Sequence, residues 1–130
     1  MRTQPAPIAA WHALIESGSG EALEDLIADD AVFRSPAVHT PQAGKEVTMA
    51  YLRAAFVVLG PALSYHREWY AEDSAVLEFT TKLDDTEVHG VDMIGWNTDG
   101  LIDDFCVMVR PHRALNVVIE KMAAQLFKDS

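Results

Sequence analysis

Apolar residues recur along this chain with two different spacings, and the change from one to the other falls at Pro61. Before it, Ile8, Trp11 and Ile15 stand at helical spacing and Leu14 widens the stripe, which predicts an amphipathic helix over residues 7–17 ended by Gly18. A short second helix is expected over residues 20–28, with Leu23, Leu26 and Ile27 as its buried face and Asp29-Asp30 closing it. Residues 31–35 then read as a brief strand stopped by Pro36. Past a loop holding Pro41 and Gly44, the stripe Val47, Ala50, Tyr51, Ala54 and Val58 predicts a third helix over residues 45–59, ended by Gly60-Pro61.

After Pro61 the period becomes two. Residues 63–71 and 75–83 alternate as strands around the turn Glu72-Asp73-Ser74, and Asp84-Asp85 turns the chain again. Two further strands are joined by Asn97-Thr98-Asp99-Gly100, the turn chemistry of a hairpin. Pro111 opens a terminal helix lined on one side by Leu115, Val118, Ile119, Met122 and Leu126. Helices followed by a four-strand meander imply one α+β domain over residues 1–130, with helices packed on one face of an antiparallel sheet.

Within the hairpin, Val88, Gly90, Asp92, Ile94 and Trp96 share one face, so a single carboxylate interrupts an apolar row. A buried, unpaired carboxylate is costly to ionise and tends to stay protonated, which marks Asp92 as a candidate acid in a pocket. On the last strand, Leu101, Phe105, Val107 and Val109 are expected to face the helices. Val91, Met93, Cys106 and Met108 then point outward, leaving an apolar outer face that predicts a homodimer through the sheet.

Composition narrows the classes. The chain is 49% hydrophobic and 23% charged, with a formal net charge of −10, which disfavours nucleic acid and anionic membranes as partners. The N-terminal stretch has no continuous apolar run of signal-peptide type, and the lone Cys106 cannot form an intrachain disulfide. Both features point to a cytoplasmic protein. The histidines are scattered, with none paired to an acid at ligand spacing, so neither a metal nor another cofactor is expected.

The order of elements, with Ala28-Asp29-Asp30-Ala31, Pro36, Gly44, and Asp92-Met93-Ile94 followed by Gly100 and Ile102, resembles the nuclear-transport-factor-2-like superfamily. That group includes ketosteroid isomerases, SnoaL-like polyketide cyclases, scytalone dehydratase and limonene epoxide hydrolase. The resemblance covers nearly the whole chain and implies a cone-shaped α+β barrel whose open end holds a ligand pocket.

In ketosteroid isomerases a neutral Asp and a Tyr donate hydrogen bonds to a dienolate oxygen while a second Asp carries the proton. The resemblance places Asp92 on the neutral Asp, Trp11 on the Tyr and Ser35 on the base. An indole N–H donates a hydrogen bond but supplies no proton, and a serine hydroxyl is too weak a base to act without a partner. In an extended chain His39 points the same way as Ser35, which makes it the candidate base. Two readings follow. In one the chain binds an apolar small molecule, with Trp11, Phe33, Ser35, Tyr51, Phe79 and Val107 as pocket lining and Asp92 as its acid. In the other it is a cofactor-free cyclase, isomerase or dehydratase acting on an apolar carbonyl compound, with Asp92 as general acid or oxyanion donor and His39 as base.

Overall fold

The computed structural model describes residues 3–18 and 20–128, the side chain of Lys128 excepted. Helix α1 spans Ala6–Ser17 and stops at Gly18, whose left-handed conformation (φ 68°) returns its N–H to the Ile15 carbonyl. Ile8, Trp11 and Leu14 are buried on its inner side. The expected second helix is cut short: residues Glu21–Asp25 form a 3-10 turn, and strand β1 already runs over Ile27–Arg34. The reason is tertiary. Leu26 accepts a hydrogen bond from the Ile102 N–H (2.8 Å), and Ile27 pairs in parallel with Ile102, so a long-range ladder overrides the local helical spacing.

Strand β2 (Gln42–Ala43) pairs antiparallel with β1 and leads into helix α2, Lys45–Leu59. Here the expected face is rotated. The buried positions are Thr48, Met49, Leu52, Ala54 and Leu59, whereas Val47 and Tyr51 are half-buried and Ala50 is exposed. The helix is apolar on more than one side, so its period alone does not say which side meets the sheet.

Strands β3 (Ser64–Tyr70), β4 (Ser74–Leu83), β5 (Thr86–Trp96) and β6 (Ile102–Arg110) form the expected antiparallel meander, and α3 (His112–Lys128) closes the fold. β1 joins β6 in parallel, giving a six-stranded sheet of order β2-β1-β6-β5-β4-β3. The architecture is α+β, with N-terminal helices on a curved, mostly antiparallel sheet and a C-terminal helix.

Side chains of Leu77, Phe79, Val88, Ile94, Phe105 and Val107 fill the inner face. Each such burial removes apolar surface worth about 1.5–3 kcal/mol. In the β5–β6 turn, Asn97 Oδ1 accepts from the N–H groups of Asp99 and Leu101, and Gly100 takes φ 78°. Leu101 therefore belongs to the turn and is only half-buried, and Ile102 is the fully buried first residue of β6. The register shifts between Gly95 and Trp96, which changes the parity expected for Leu101.

A second irregularity interrupts β3. Tyr65 pairs with Phe79 and Glu68 with Leu77, so three β3 steps match two on β4. His66 and Arg67 consequently both lie outward, while Tyr65 and Glu68 both lie on the half-buried inner side. No helix among the described residues is long and apolar enough to cross a membrane.

Candidate functional site

Neighbouring strands place Asp92 on the inner face of β5, directly between Leu77 of β4 and Val107 of β6. The side chain is 7% exposed. The Tyr65 hydroxyl donates to Asp92 Oδ2 at 2.6 Å and itself accepts the Trp11 indole N–H at 2.9 Å. A chain of polar groups thus runs from α1 through β3 to β5 inside an apolar shell. Burial pushes the Asp92 carboxyl up to about 7, against the opposing pull of the Tyr65 hydrogen bond. Burial also holds the Tyr65 phenol well above its ordinary range, and the adjacent Asp92 charge adds to this.

The row above Asp92 explains how Tyr65 reaches it. Tyr65 pairs with Phe79, and Phe79 pairs with Gly90, so the Phe79 ring lies against a residue without a side chain. A Cβ on Gly90 would stand 2.7 Å from Phe79 Cζ and 2.5 Å from the Met108 carbonyl oxygen. Glycine is required there by close approach, although its φ is ordinary.

Trp11 roofs the acid, with its ring centroid 5.4 Å from Phe56 and 4.9 Å from Phe105. Together with Tyr65, Phe79, Asp92 and Val107 these rings enclose a chamber of only about 30 Å³, room for a water molecule. Beyond Val107, Ala55 and Leu59, which line both spaces, lies a second cavity of about 520 Å³. This groove runs between α2, α3 and the segment after β1, and its walls are mainly apolar, among them Phe33, Val47, Tyr51, Val118 and Met122. Phe33 and Tyr51 stack in it at 5.0 Å.

The expected site residues divide between the two spaces. Trp11, Phe79 and Asp92 line the chamber; Phe33, Ser35 and Tyr51 line the groove; Val107 lines both. Ser35 Oγ accepts the Ala37 N–H at 3.0 Å, which commits it to the local turn. His39 is exposed on the loop and lines neither cavity, so the structure does not bring it to Asp92. Pro36 and the bend that follows break the extended path on which its alignment with Ser35 depended.

Tyr65 is the side chain beside Asp92 that the residue pattern did not single out. Its signal was modest: an aromatic with a polar end, two residues after Leu63 on an alternating strand. Near it, His12 Nε2 stands 2.6 Å from Glu68 Oε2, and Glu68 Oε1 accepts the Tyr70 hydroxyl at 2.6 Å. The described residues contain no group of His, Cys, Asp and Glu side chains arranged to hold a metal.

The SnoaL-like domain family model matches residues 8–105. The chain belongs to the SnoaL-like family. Among solved structures, this SnoaL-like chain is similar to a steroid delta-isomerase from Pseudomonas aeruginosa, at 39% identity over 95% of this chain and 90% of that one, with a TM-score of 0.90. An uncharacterised protein with a cystatin-like fold from Silicibacter pomeroyi DSS-3 is 27% identical over 95% of this chain and 87% of its own, with a TM-score of 0.87. The epoxide hydrolase/cyclase-like enzyme SalBIII, which has a role in pyran ring formation in polyether salinomycin, shares the fold alone, at 14% identity over 80% of this chain and 88% of that one, with a TM-score of 0.65. No curated protein sequence matches the chain.

Proposed function

We propose that this SnoaL-like protein binds an apolar small molecule in the groove between α2 and α3, with Asp92 as the acid behind the groove's inner wall. The observation that carries this reading is the groove itself: about 520 Å³, lined mainly by apolar and aromatic side chains. That volume falls within the usual range of small-molecule sites, which are concave, mostly apolar and supplied with few polar groups. Asp92 is separated from it by Val107, the residue paired beside it on β6. A protonated Asp92 would keep accepting from Tyr65 and still have an O–H to offer a ligand oxygen, once Val107 gives way.

A ligand that binds only the folded chain stabilises it by about 2.7 kcal/mol at a free concentration a hundredfold above Kd. The test is thermal denaturation with a panel of apolar ketones and alcohols, beside Ala50→Trp, which fills the groove from an exposed position of α2. The reading expects the wild-type Tm to rise by roughly 5–15 °C and the variant to lose most of that rise. Equal shifts in both proteins would place the ligand elsewhere.

A second reading is an isomerase-type enzyme, favoured by one specific arrangement. The relative from Pseudomonas aeruginosa is described as a steroid delta-isomerase, and in this chain Tyr65 brings a hydroxyl to the acid although position 11 is Trp. With its carboxyl near 7, Asp92 can both hold and release a proton at working pH. Turnover of an unsaturated steroid ketone, lost in Asp92→Asn, would favour this reading; ligand stabilisation without product favours the first.

A further inference from the structure

The groove between α2 and α3 is uniform in shape but not in chemistry. Of the described residues that line it, none carries a charge, and only Ser35 and Tyr51 bring a side-chain oxygen. Ser35 Oγ is engaged by the Ala37 N–H. The Tyr51 hydroxyl has no hydrogen-bond partner among the described residues.

Tyr51 is nevertheless held in place. Its ring stacks on Phe33, with centroids 5.0 Å and planes 19° apart, and Phe33 stacks in turn on Phe105 at 6.1 Å. Phe33 and Phe105 are both buried, so the base of this stack is fixed by the core while Tyr51 itself stays half-buried. A ring fixed on one side presents its hydroxyl with little rotamer entropy left to lose on binding.

Strand register sets the scale. Asp92 on β5 pairs with Val107 on β6, and Phe33 on β1 pairs with Phe105 of that same β6. Two strand spacings, about 10 Å, therefore separate the acid from the stack that carries Tyr51. Val107 and Tyr51 both line the groove, so its apolar space lies between two polar groups.

That arrangement selects by charge and by polarity. An ionised group seated in the groove would lose its hydration with no counter-charge to replace it. The chain's net charge of −10 opposes an anion even at a distance. A ligand that is hydrocarbon throughout its far end is also disfavoured, because it would desolvate the Tyr51 hydroxyl and leave it unpaired.

Resting on the binding reading above, we propose that Tyr51 sets the ligand class: an uncharged, elongated molecule with an oxygen at each end. The near oxygen turns toward Asp92, and the far one, about 10 Å away, hydrogen-bonds the Tyr51 hydroxyl. Tyr51 is thus a specificity-determining residue that stands two strands away from the acid.

Isothermal titration calorimetry tests this with three probes of one shape: 4-phenylcyclohexanone, its para-hydroxyl derivative and its para-carboxylate. Each is titrated into the wild type and into Tyr51→Phe, which keeps the ring and its stack. The wild type is expected to bind the phenol about threefold to tenfold tighter than the phenyl ketone, and Tyr51→Phe to bind the two alike. The carboxylate is expected to bind both proteins at least about tenfold more weakly than the phenyl ketone. A phenol preference that survives in Tyr51→Phe, no preference in the wild type, or a carboxylate bound as tightly as the phenol would overturn the assignment and leave the groove standing as a binding site. Binding of none of the three, or equal binding by Ala50→Trp, would overturn the binding reading and this assignment together.

Discussion

Asp92 is one carboxyl among twenty acidic residues, yet among the described residues it alone sits in the middle of the inner face with an aromatic roof. Its environment sets a sign for pH dependence. The folded chain holds the Asp92 proton up to about 7, while the unfolded chain loses it near 3.8. Between those values the native state binds the extra proton, so Asp92 lowers stability progressively as pH rises, and the deficit is complete above the folded value. Asp92→Asn removes that deficit. Its Tm relative to wild type is expected to climb between pH 4 and 7 and to level off above, with a gain on the order of a few kcal/mol. A pH-independent difference between the two proteins would contradict this.

Tyr65 acts on the same group in the opposite direction, because its hydroxyl favours the ionised carboxylate. Tyr65→Phe is therefore expected to raise the Asp92 pKa further, as read by carboxyl-carbon NMR; a fall would mean that the hydroxyl does not bond the anion. Asp92 was legible in the sequence because strand parity put one charge in an apolar row. Its partner was not. Parity places Tyr65 inward, but only the three-dimensional crossing of β3 over Phe79 shows its oxygen reaching β5.

Elements were readable where their pattern was local and less so where a distant strand decided. The meander, α1 and the C-terminal helix follow from spacing, caps and turn residues. Residues 27–30 did not, because their extended form depends on β6, some seventy-five positions later in the chain. The face of α2 was misassigned because both of its sides are apolar, one meeting the core and the other lining the groove. The bulge at His66–Arg67 left no mark in the alternation, yet it sends Arg67 out to Glu78 and turns Glu68 in toward His12.

Gly90 offers an element-scale test of the inner face. Gly90→Ala is expected to cost about 1–3 kcal/mol in urea unfolding, because backbone and the Phe79 ring must both shift. A neutral outcome would mean that β5 and Phe79 have more room than their pairing gives them.

For the molecule as a whole, the fold makes two compartments from one curved sheet. The helices close over Asp92 to leave about 30 Å³, while α2 and α3 splay beside it to leave about 520 Å³. The sequence identified side chains belonging to both but treated them as one pocket, since residue spacing carries no information about how Val107, Ala55 and Leu59 partition the space. The membership of the SnoaL-like family covers the same ground, with the Pseudomonas relative aligned along 95% of the chain.

The most direct test of the binding account is the structure of the protein with a steroid ketone, determined by crystal soaking and read at one place. The account predicts the apolar body between α2 and α3 against Tyr51 and Met122, with Val107 displaced and the ketone oxygen turned toward Asp92. A steroid seated on the opposite face of the sheet, with the groove collapsed or filled by its own side chains, would contradict it.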